Sequence, residues 1–234
     1  MNYLEIKVSK CKTHFLFEEK KLFEKSFIEV LKFHKEGFAP VKDESGSYHI
    51  DINGKPIYNE RYLRTFGFYN NLASVIDENN NWFHVNIIGK RIYCENFSWC
   101  GNFQENISTV RDFQNNYFHI TSKGEKLYEK NYLYAGDFKN NYAVVKQKNG
   151  LCKHINTSGK FINDKAFLDL GVFHKSFATA KDKNGWFHIN INGNELYSER
   201  FLAIEPFYNG FALVENFNNT KQIIDELGNK ILNV

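Results

Sequence analysis

A glycine recurs about every 35 residues along this chain of 234 residues, at intervals of 35, 35, 35, 34 and 35. A histidine stands five residues before each of the first five glycines, and one further step back from His49 reaches His14 in a degraded opening copy. A constant period of this length is the signature of stacked supersecondary units, so the sequence predicts a repeat array. The repeats are marked by His14, Gly54, Gly89, Gly124, Gly159, Gly193 and Gly228, and the histidines are His49, His84, His119, His154 and His188, with Ile223 in the last copy.

One repeat shows why each copy is a β-unit. The segment WFHIN at 186–190 is β-branched and aromatic, and an Asn-Gly pair lies on each side of it. Asn-Gly between apolar alternating runs is a strong hairpin signal. FATAK at 177–181 supplies the strand before, and ELYSE at 195–199 is predicted as the strand after. Each copy is therefore predicted as a three-stranded antiparallel meander, and a short extended piece, RFLAIEPF at 200–207, leads to the next copy.

Large aromatic rings return at two fixed positions and predict the core. Since one meander of this length cannot bury these rings alone, adjacent copies must supply the core to each other. Eight residues after the glycines stand Tyr62, Phe97, Tyr132, Phe167 and Phe201, with Phe27 in the opening copy. Fourteen residues after them stand Phe68, Phe103, Phe138, Phe173 and Phe207, with Phe33 in the opening copy.

Composition and charge narrow the class of partner. The net charge is +3 with both signs interspersed, whereas a nucleic-acid binder usually shows a one-signed basic stripe. No stretch approaches the 18 apolar residues that spanning a membrane requires, and the N-terminus lacks an apolar signal core. The four cysteines show no CxxC spacing, so we expect reduced thiols in the cytoplasm.

The predicted fold is all-β, with seven tandem meanders of about 35 residues in a single repeat domain spanning 1–234. The seven meanders can be arranged in two ways. A ring gives a small seven-bladed propeller, and an open stack gives a β-solenoid, whose degraded first and last copies would be its caps. Because seven is also a common ring size, we favour the propeller.

Four segments carry a family resemblance: NGWFHININGNELY at 184–197, FYNGFALV at 207–214, FYNNLASV at 68–75 and NNWFHVNIIGKRIY at 80–93. The order of aromatic, glycine and strand residues in these segments resembles that of the WG-repeat family, a degenerate β-repeat of bacterial proteins. The glycine of the family name is replaced by Phe83, Phe118 or Phe187. The resemblance implies a general interaction module carried by many unrelated proteins.

The histidines invite a metal or proton-relay hypothesis. A metal site needs three or four ligands that converge on one ion, and residues one repeat apart do not converge so tightly unless they ring a narrow axis. We therefore expect each ring to bridge neighbouring meanders by hydrogen bonds from a half-buried strand position, with no metal and no cofactor. No nucleophile elbow, P-loop or dinucleotide fingerprint occurs in the sequence, so no catalytic residue is predicted.

A variable position follows the recurring phenylalanine and predicts a binding surface. A position that changes between copies and lies in a loop can be tuned to a partner. The candidate partner-binding residues are Tyr69, Gln104, Lys139, His174 and Tyr208. The sequence thus predicts a non-catalytic module that binds a protein, for example an immunity or inhibitor protein that recognises a toxin or effector. The alternatives are a small-molecule, nucleotide or glycan binder with a central or concave pocket, and an enzyme with a site in the divergent middle copies. The oligomeric state is left open.

Overall fold

The computed structural model describes residues 2–234 and forms two compact units, one ending at Lys126 and one running from Leu127 to Val234. A 3-10 turn at Tyr3–Glu5 precedes a series of short strands, and the described residues contain no α-helix. Whether the two units fold as one domain, as the continuous repeats predict, stays a prediction.

The first unit contains four sheets, and each is an antiparallel meander of three strands that follow one another along the chain. In chain order they are β1 (Lys7–Val8), β2 (Phe15–Phe17) and β3 (Lys20–Lys21); β4 (Glu29–Val30), β5 (Ala39–Asp43) and β6 (Gly46–Ile50); β7 (Arg64–Thr65), β8 (Leu72–Ile76) and β9 (Trp82–Asn86); and β10 (Trp99–Cys100), β11 (Ile107–Arg111) and β12 (Tyr117–Thr121).

The second unit contains three sheets of the same kind, the last with a fourth strand. They are β13 (Tyr134–Ala135), β14 (Tyr142–Lys146) and β15 (Cys152–Asn156); β16 (Asp169–Leu170), β17 (Phe177–Asp182) and β18 (Gly185–Asn190); and β19 (Ala203–Ile204), β20 (Phe211–Glu215), β21 (Lys221–Asp225) and β22 (Lys230–Asn233). The described residues therefore form the seven meander sheets that the period predicts.

The prediction of which segments form the three strands was wrong at one point. In the sixth sheet, the strand that joins the β17–β18 hairpin is β16, which precedes the hairpin in the chain. The segment ELYSE, predicted as the strand after the hairpin, contributes only an isolated bridge between Ile189 and Glu195. The backbone explains this, because after the turn the chain leaves the sheet and joins the next one. Only the seventh sheet keeps a full strand, β22, at this position, and β3 in the first sheet is its short counterpart.

The recurring glycine holds the tight turn that ends each hairpin. Gly89 has a φ of 76°, and its N–H donates to the Asn86 carbonyl at 2.9 Å. The Asn86 side-chain oxygen accepts from the Ile88 N–H at 3.2 Å and the Lys90 N–H at 2.9 Å. The predicted turn, with a short polar side chain bonded back to its amides, is confirmed.

The core is built from the predicted aromatic positions. All six phenylalanines in the second aromatic position are buried, and Val or Ile side chains of the hairpin strands pack beside them. Adjacent sheets of one unit also share backbone pairs, since Trp82 of β9 and Phe97 exchange two N–H···O=C bonds of 3.0 Å at the entry to the fourth sheet. Within a unit, a sheet is thus completed by the chain that opens the next, as the pairs Ser47–Tyr62, Cys152–Phe167 and Trp186–Phe201 also show.

Gly89→Ala should destabilise the first unit more than Gly37→Ala does. Both glycines have positive φ, 76° and 81°, so both variants bear the left-handed strain of about 1–2 kcal/mol. Only at Gly89 would the added methyl lie 2.6 Å from Cγ of Tyr58, while nothing lies within 4 Å at Gly37. We expect Gly89→Ala to cost about 1–3 kcal/mol more in urea unfolding. Equal midpoints for the two variants would contradict the close approach of turn and tyrosine.

Candidate functional site

The predicted partner-binding residues all occupy the first position of a two-residue hairpin turn. Tyr69 and Leu72 exchange two backbone hydrogen bonds of 2.8 and 3.1 Å, and the two residues between them, Asn70 and Asn71, have φ values of 53° and 61°. Two positive φ values define the type I′ turn, which matches the twist of the flanking strands. Paired bonds of the same kind link Gln104 to Ile107, Lys139 to Tyr142, His174 to Phe177 and Tyr208 to Phe211.

These turns form what we call the turn edge of each unit. In the first unit it presents Tyr69 and Gln104, and in the second Lys139, His174 and Tyr208. None of the five is buried; Lys139 and Tyr208 are exposed and the other three are partly exposed. The structure therefore places the predicted residues at equivalent, accessible positions on their sheets. Their role in binding stays a prediction.

Neighbouring side chains of the turn edge contact each other from sheet to sheet. The His174 and Tyr208 ring centroids are 4.9 Å apart, and His174 Nδ1 lies 2.9 Å from the Phe207 carbonyl oxygen. In the first unit the Tyr69 ring lies 4.9 Å from that of His34, beside a groove of about 500 Å³ that Tyr3 and Phe68 also line. Contacts between neighbouring side chains thus hold aromatic groups in place on the turn edge.

The recurring histidines form a second, fully internal arrangement. His84 is completely buried, and its Nδ1 lies 2.5 Å from the Tyr93 hydroxyl while its Nε2 lies 2.8 Å from the Gly101 carbonyl oxygen. A carbonyl can only accept, so Nε2 carries the proton and Nδ1 accepts from the tyrosine. Because Gly101 opens the fourth sheet and His84 belongs to the third, the ring links two neighbouring sheets.

The same bridge recurs at the equivalent positions. Nε2 of three other histidines donates to the residue 17 positions later, and in all four copies the Phe of the following sheet packs on the imidazole with centroid distances of 3.8–4.6 Å. The further donor and acceptor pairs are His49 with Phe66 at 2.7 Å, His154 with Gly171 at 2.9 Å, and His188 with Glu205 at 2.9 Å. The tyrosine partners are Tyr58 for His49 and Tyr197 for His188. The expectation that the histidines bridge neighbouring meanders is confirmed for these four.

Two details of the histidine prediction were wrong. The bridging rings are fully buried rather than half-buried, because the next sheet covers them. His14 is not equivalent to them: it lies before β2, is partly exposed, and contacts Thr13 Oγ1 at 3.2 Å. In the opening copy Phe23 occupies the position nine residues after the histidine, so no tyrosine hydroxyl is available to it there.

Burial keeps the bridging histidines neutral. Desolvation lowers the pKa of His49, His84, His154 and His188 to about 4, and the backbone carbonyl that each Nε2 faces opposes this only in part. Burial likewise raises the pKa of the partner Tyr93 above its usual range. Each pair is therefore an uncharged hydrogen-bonded unit at neutral pH.

Other groups on the described residues offer little convergent chemistry. No three His, Cys, Asp or Glu side chains within residues 2–234 approach one another closely enough to hold a metal ion. All four cysteines are free, with Cys11 and Cys94 exposed and Cys100 and Cys152 buried. The part of the chain that the structure describes has no helix of the length and apolarity needed to cross a membrane.

Comparison with protein families confirms the resemblance. Residues 120–152, which run from the end of β12 through β13 and β14 to the first residue of β15, match the family model described as WG containing repeat. A search among curated proteins gives no match. The repeat type is therefore established on one copy, and the other copies share its spacing.

Solved structures with a similar fold are propeller-like. The computationally designed Ika8 protein is similar with a TM-score of 0.56 and 13% identity over 98% of this chain and 85% of that chain. BamB from Moraxella catarrhalis is similar with a TM-score of 0.51 and 10% identity over 95% and 76%. The predicted all-β, propeller-like fold class is confirmed, and closure of the ring stays a prediction.

We predict that acid destabilises the protein between pH 6.5 and pH 4. In the unfolded chain the histidines take up protons below about 6.5, while in the folded chain their pKa is about 4. The unfolded state therefore binds more protons in this window, so the free energy of unfolding falls as the pH falls. Each buried histidine contributes on the order of 3 kcal/mol to this loss. Urea unfolding at several pH values measures it.

A matched pair of variants assigns this pH dependence. His84→Asn should flatten the slope between pH 6.5 and 4.5, because one buried proton acceptor is gone. Phe113→Leu, at an exposed position in the same unit that carries no ionisable group, should leave the slope unchanged. Identical slopes in wild type and His84→Asn would show that the bridge is not the titrating element.

Tyr93→Phe should destabilise the first unit by about 1–3 kcal/mol, because it leaves the buried Nδ1 of His84 without its hydroxyl donor. Tyr69→Phe removes the same hydroxyl from a partly exposed ring and should cost less than about 0.5 kcal/mol. Thermal or urea unfolding of the two variants makes the comparison, and a loss of equal size in both would contradict the bridge.

Proposed function

Because residues 120–152 carry a WG containing repeat in a propeller-like fold, we propose that the protein is a non-catalytic binding module for a protein partner. Folds of this kind carry their function on grafted surfaces rather than in the repeated core. We further propose a bacterial cytoplasmic setting, in which the partner is a toxin or effector and this chain is its immunity or inhibitor protein.

The turn edges of the two units are the surfaces that support this proposal best. Their side chains lie at equivalent positions on successive sheets, yet they differ in chemistry: a tyrosine, an amide, a lysine, a histidine and a second tyrosine. The backbone of each turn is fixed by paired hydrogen bonds, so a substitution at this position changes the surface without changing the fold. Tyr69 and Tyr208 are the proposed aromatic anchors, since tyrosine is enriched among the residues that dominate binding energy.

The groove beside Tyr69 favours one alternative. Its volume of about 500 Å³ falls within the range of small-molecule sites, and Lys32, Lys35 and His34 add polar groups to its rim. A small molecule, nucleotide or glycan is therefore the second candidate ligand. The same groove can also receive an apolar side chain of a protein partner, and this is the role that we propose for it.

The test is quantitative capture of a partner from native cytoplasm, followed by affinity measurement with the purified partner. The double variant Tyr69→Ala/Tyr208→Ala should weaken binding by at least about 2 kcal/mol, which is roughly thirtyfold in Kd. The matched control is Phe113→Ala/Phe217→Ala, which removes one ring outside the turn edge from each unit, 57% and 59% exposed. The control should bind like wild type.

Two results would overturn this assignment. Wild-type affinity in the tyrosine variant would remove the turn edge from the interface. An equal loss in both double variants would show a general dependence on exposed rings, and not a contact made by this edge.

A further inference from the structure

A strip of arginine and aromatic side chains crosses the third and fourth sheets of the first unit. We call it the arginine–aromatic strip, and it consists of Arg64, Phe66, Trp82, Trp99, Arg111 and Tyr117. None of these side chains is buried; Arg64 is exposed, and the others are partly exposed. Five of the six residues lie on strands and Phe66 directly follows β7, so the strip is separate from the turns that carry Tyr69 and Gln104.

The four rings follow one another in an unbroken row. Phe66 and Trp82 are stacked, with centroids 5.0 Å apart and an interplanar angle of 18°. Trp82 and Trp99 are 6.5 Å apart at 45°, and Trp99 and Tyr117 are 6.1 Å apart at 51°. The tilted pairs present their ring planes at an angle to each other, whereas the stacked pair covers one face of each of its rings.

Two arginines lie beside rings of the row. The Arg64 guanidinium is 5.4 Å from the Phe66 ring and 3.6 Å from the Glu29 carboxylate. Arg111 lies on β11 between its cross-strand partners Trp99 and Tyr117, and its guanidinium is 5.8 Å from the Tyr117 ring. Its Nε donates to Ser98 Oγ at 3.1 Å, which uses one of the five N–H donors of the group. The strip therefore combines a row of partly exposed rings with cations held beside them.

Core packing does not account for this composition. The position that Trp99 occupies on the first strand is filled in the other sheets by Glu29, Arg64, Tyr134, Asp169 and Ala203. The position of Phe66 is filled by Leu31, Gly101, Gly136, Gly171 and Glu205. Since the fold accepts acids, glycine and alanine at these two positions, the rings of Phe66 and Trp99 are not required by the repeat.

We propose that the arginine–aromatic strip binds an extended, proline-rich peptide segment that carries acidic side chains. Proline rings of a polyproline II segment dock between aromatic side chains that stand side by side, and its preformed backbone loses little entropy on binding. Carboxylates of the same segment match the guanidinium groups of Arg64 and Arg111. The site goes beyond the turn edge and can be tested without it.

The geometry disfavours the other ligands of aromatic surfaces. Sugars and nucleobases stack on an open ring face, and the stacking of Phe66 on Trp82 covers one face of each of these two rings. A cationic ligand such as a methylated lysine is repelled by the two arginines. Nucleic acid additionally needs a longer run of cations than this strip supplies, and Glu29 offsets one of the two.

The chain provides its own control tryptophan. Trp186 stands at the position of Trp82 in the sixth sheet, where the side chain over it is Lys181, with Nζ 5.4 Å from the ring centroid. On the first strand of that sheet Asp169 stands where the third sheet has Arg64, and Ala203 of the seventh sheet stands at the position of Trp99. Trp186 therefore shares the strand position of a strip tryptophan but lies in the other unit, outside the row of rings.

The experiment follows tryptophan fluorescence in a Trp186→Phe background, where the two remaining tryptophans, Trp82 and Trp99, both belong to the strip. The probes are peptides of about twelve residues with Pro-Pro-Glu, Pro-Pro-Lys or Gly-Ser-Glu repeats, and an oligothymidylate of about twelve nucleotides. We expect the Pro-Pro-Glu peptide to bind at least about tenfold more tightly than either other peptide. Oligothymidylate should bind more weakly than the Pro-Pro-Glu peptide.

Variants then assign the site, using fluorescein-labelled peptide and anisotropy. Trp99→Ala should weaken binding of the Pro-Pro-Glu peptide by at least about tenfold, and Trp186→Ala by less than about twofold. Arg111→Gln should reduce the preference for glutamate over lysine. Far-UV circular dichroism and the melting temperature establish that each variant is folded, and Trp99→Leu replaces Trp99→Ala if that variant is unfolded.

Several outcomes would overturn the proposal. Equal binding of the Pro-Pro-Glu and Gly-Ser-Glu peptides would remove the proline specificity, and an equal loss in the Trp99 and Trp186 variants would remove the strip. Tighter binding of oligothymidylate, lost in the Trp99 variant, would assign the strip to single-stranded nucleic acid instead. Because the turn edge is tested by Tyr69 and Tyr208, failure here is distinguishable from failure of the proposed function.

Discussion

The buried histidine bridge is the interaction on which the repeat array depends. A neutral imidazole has one donor and one acceptor at opposite sides of its ring, so a single side chain can join two backbone segments that belong to different sheets. In the bridge of His188, the acceptor side faces Tyr197 of the connecting chain, and the donor side faces the Glu205 carbonyl of the next sheet. Since a charged imidazole would be costly at this depth, burial itself holds the ring in the one protonation state that makes both bonds.

The sequence predicts the parts of this fold that rest on local chemistry. Gly89 is predictable because only a residue that tolerates positive φ fits the turn, and Phe68 or Phe103 because a large ring at a constant spacing has to be buried. The role of ELYSE in the sheet was not predictable from its alternation, since that pattern suits any extended segment. The pairing of His84 with Tyr93 was missed although both positions recur, and the constant separation of nine residues is the signal that could have revealed it. The strip could not be predicted at all, because Trp82 and Trp99 meet only when two sheets pack.

The seventh sheet shows what replaces the bridge where it is absent. Ile223 stands at the histidine position and is the cross-strand partner of Leu232, which stands at the tyrosine position. A histidine and a tyrosine at these positions would need a hydrogen-bond partner from a further sheet. Two aliphatic side chains on paired strands need no such partner and can pack against each other. The histidine and tyrosine positions, which are polar in the bridging copies, are thus both apolar in the seventh sheet. This is the pattern expected if the two residues act as one unit.

The histidine bridge uses a backbone carbonyl as its acceptor, so the bridge does not constrain which side chain stands at the acceptor position. Since the histidine bonds to main-chain atoms, the side chain at the acceptor position takes no part in the bridge, and it is Phe66 in one sheet and Glu205 in another. Glycine at position 171 follows from local packing instead, because a Cβ there would lie 2.3 Å from Thr179 Oγ1. Phe66 shows the consequence, for it serves as bridge acceptor through its carbonyl while its ring stacks on Trp82 at the surface. A fold joined in this way can vary its exposed side chains copy by copy, which is what a binding array requires.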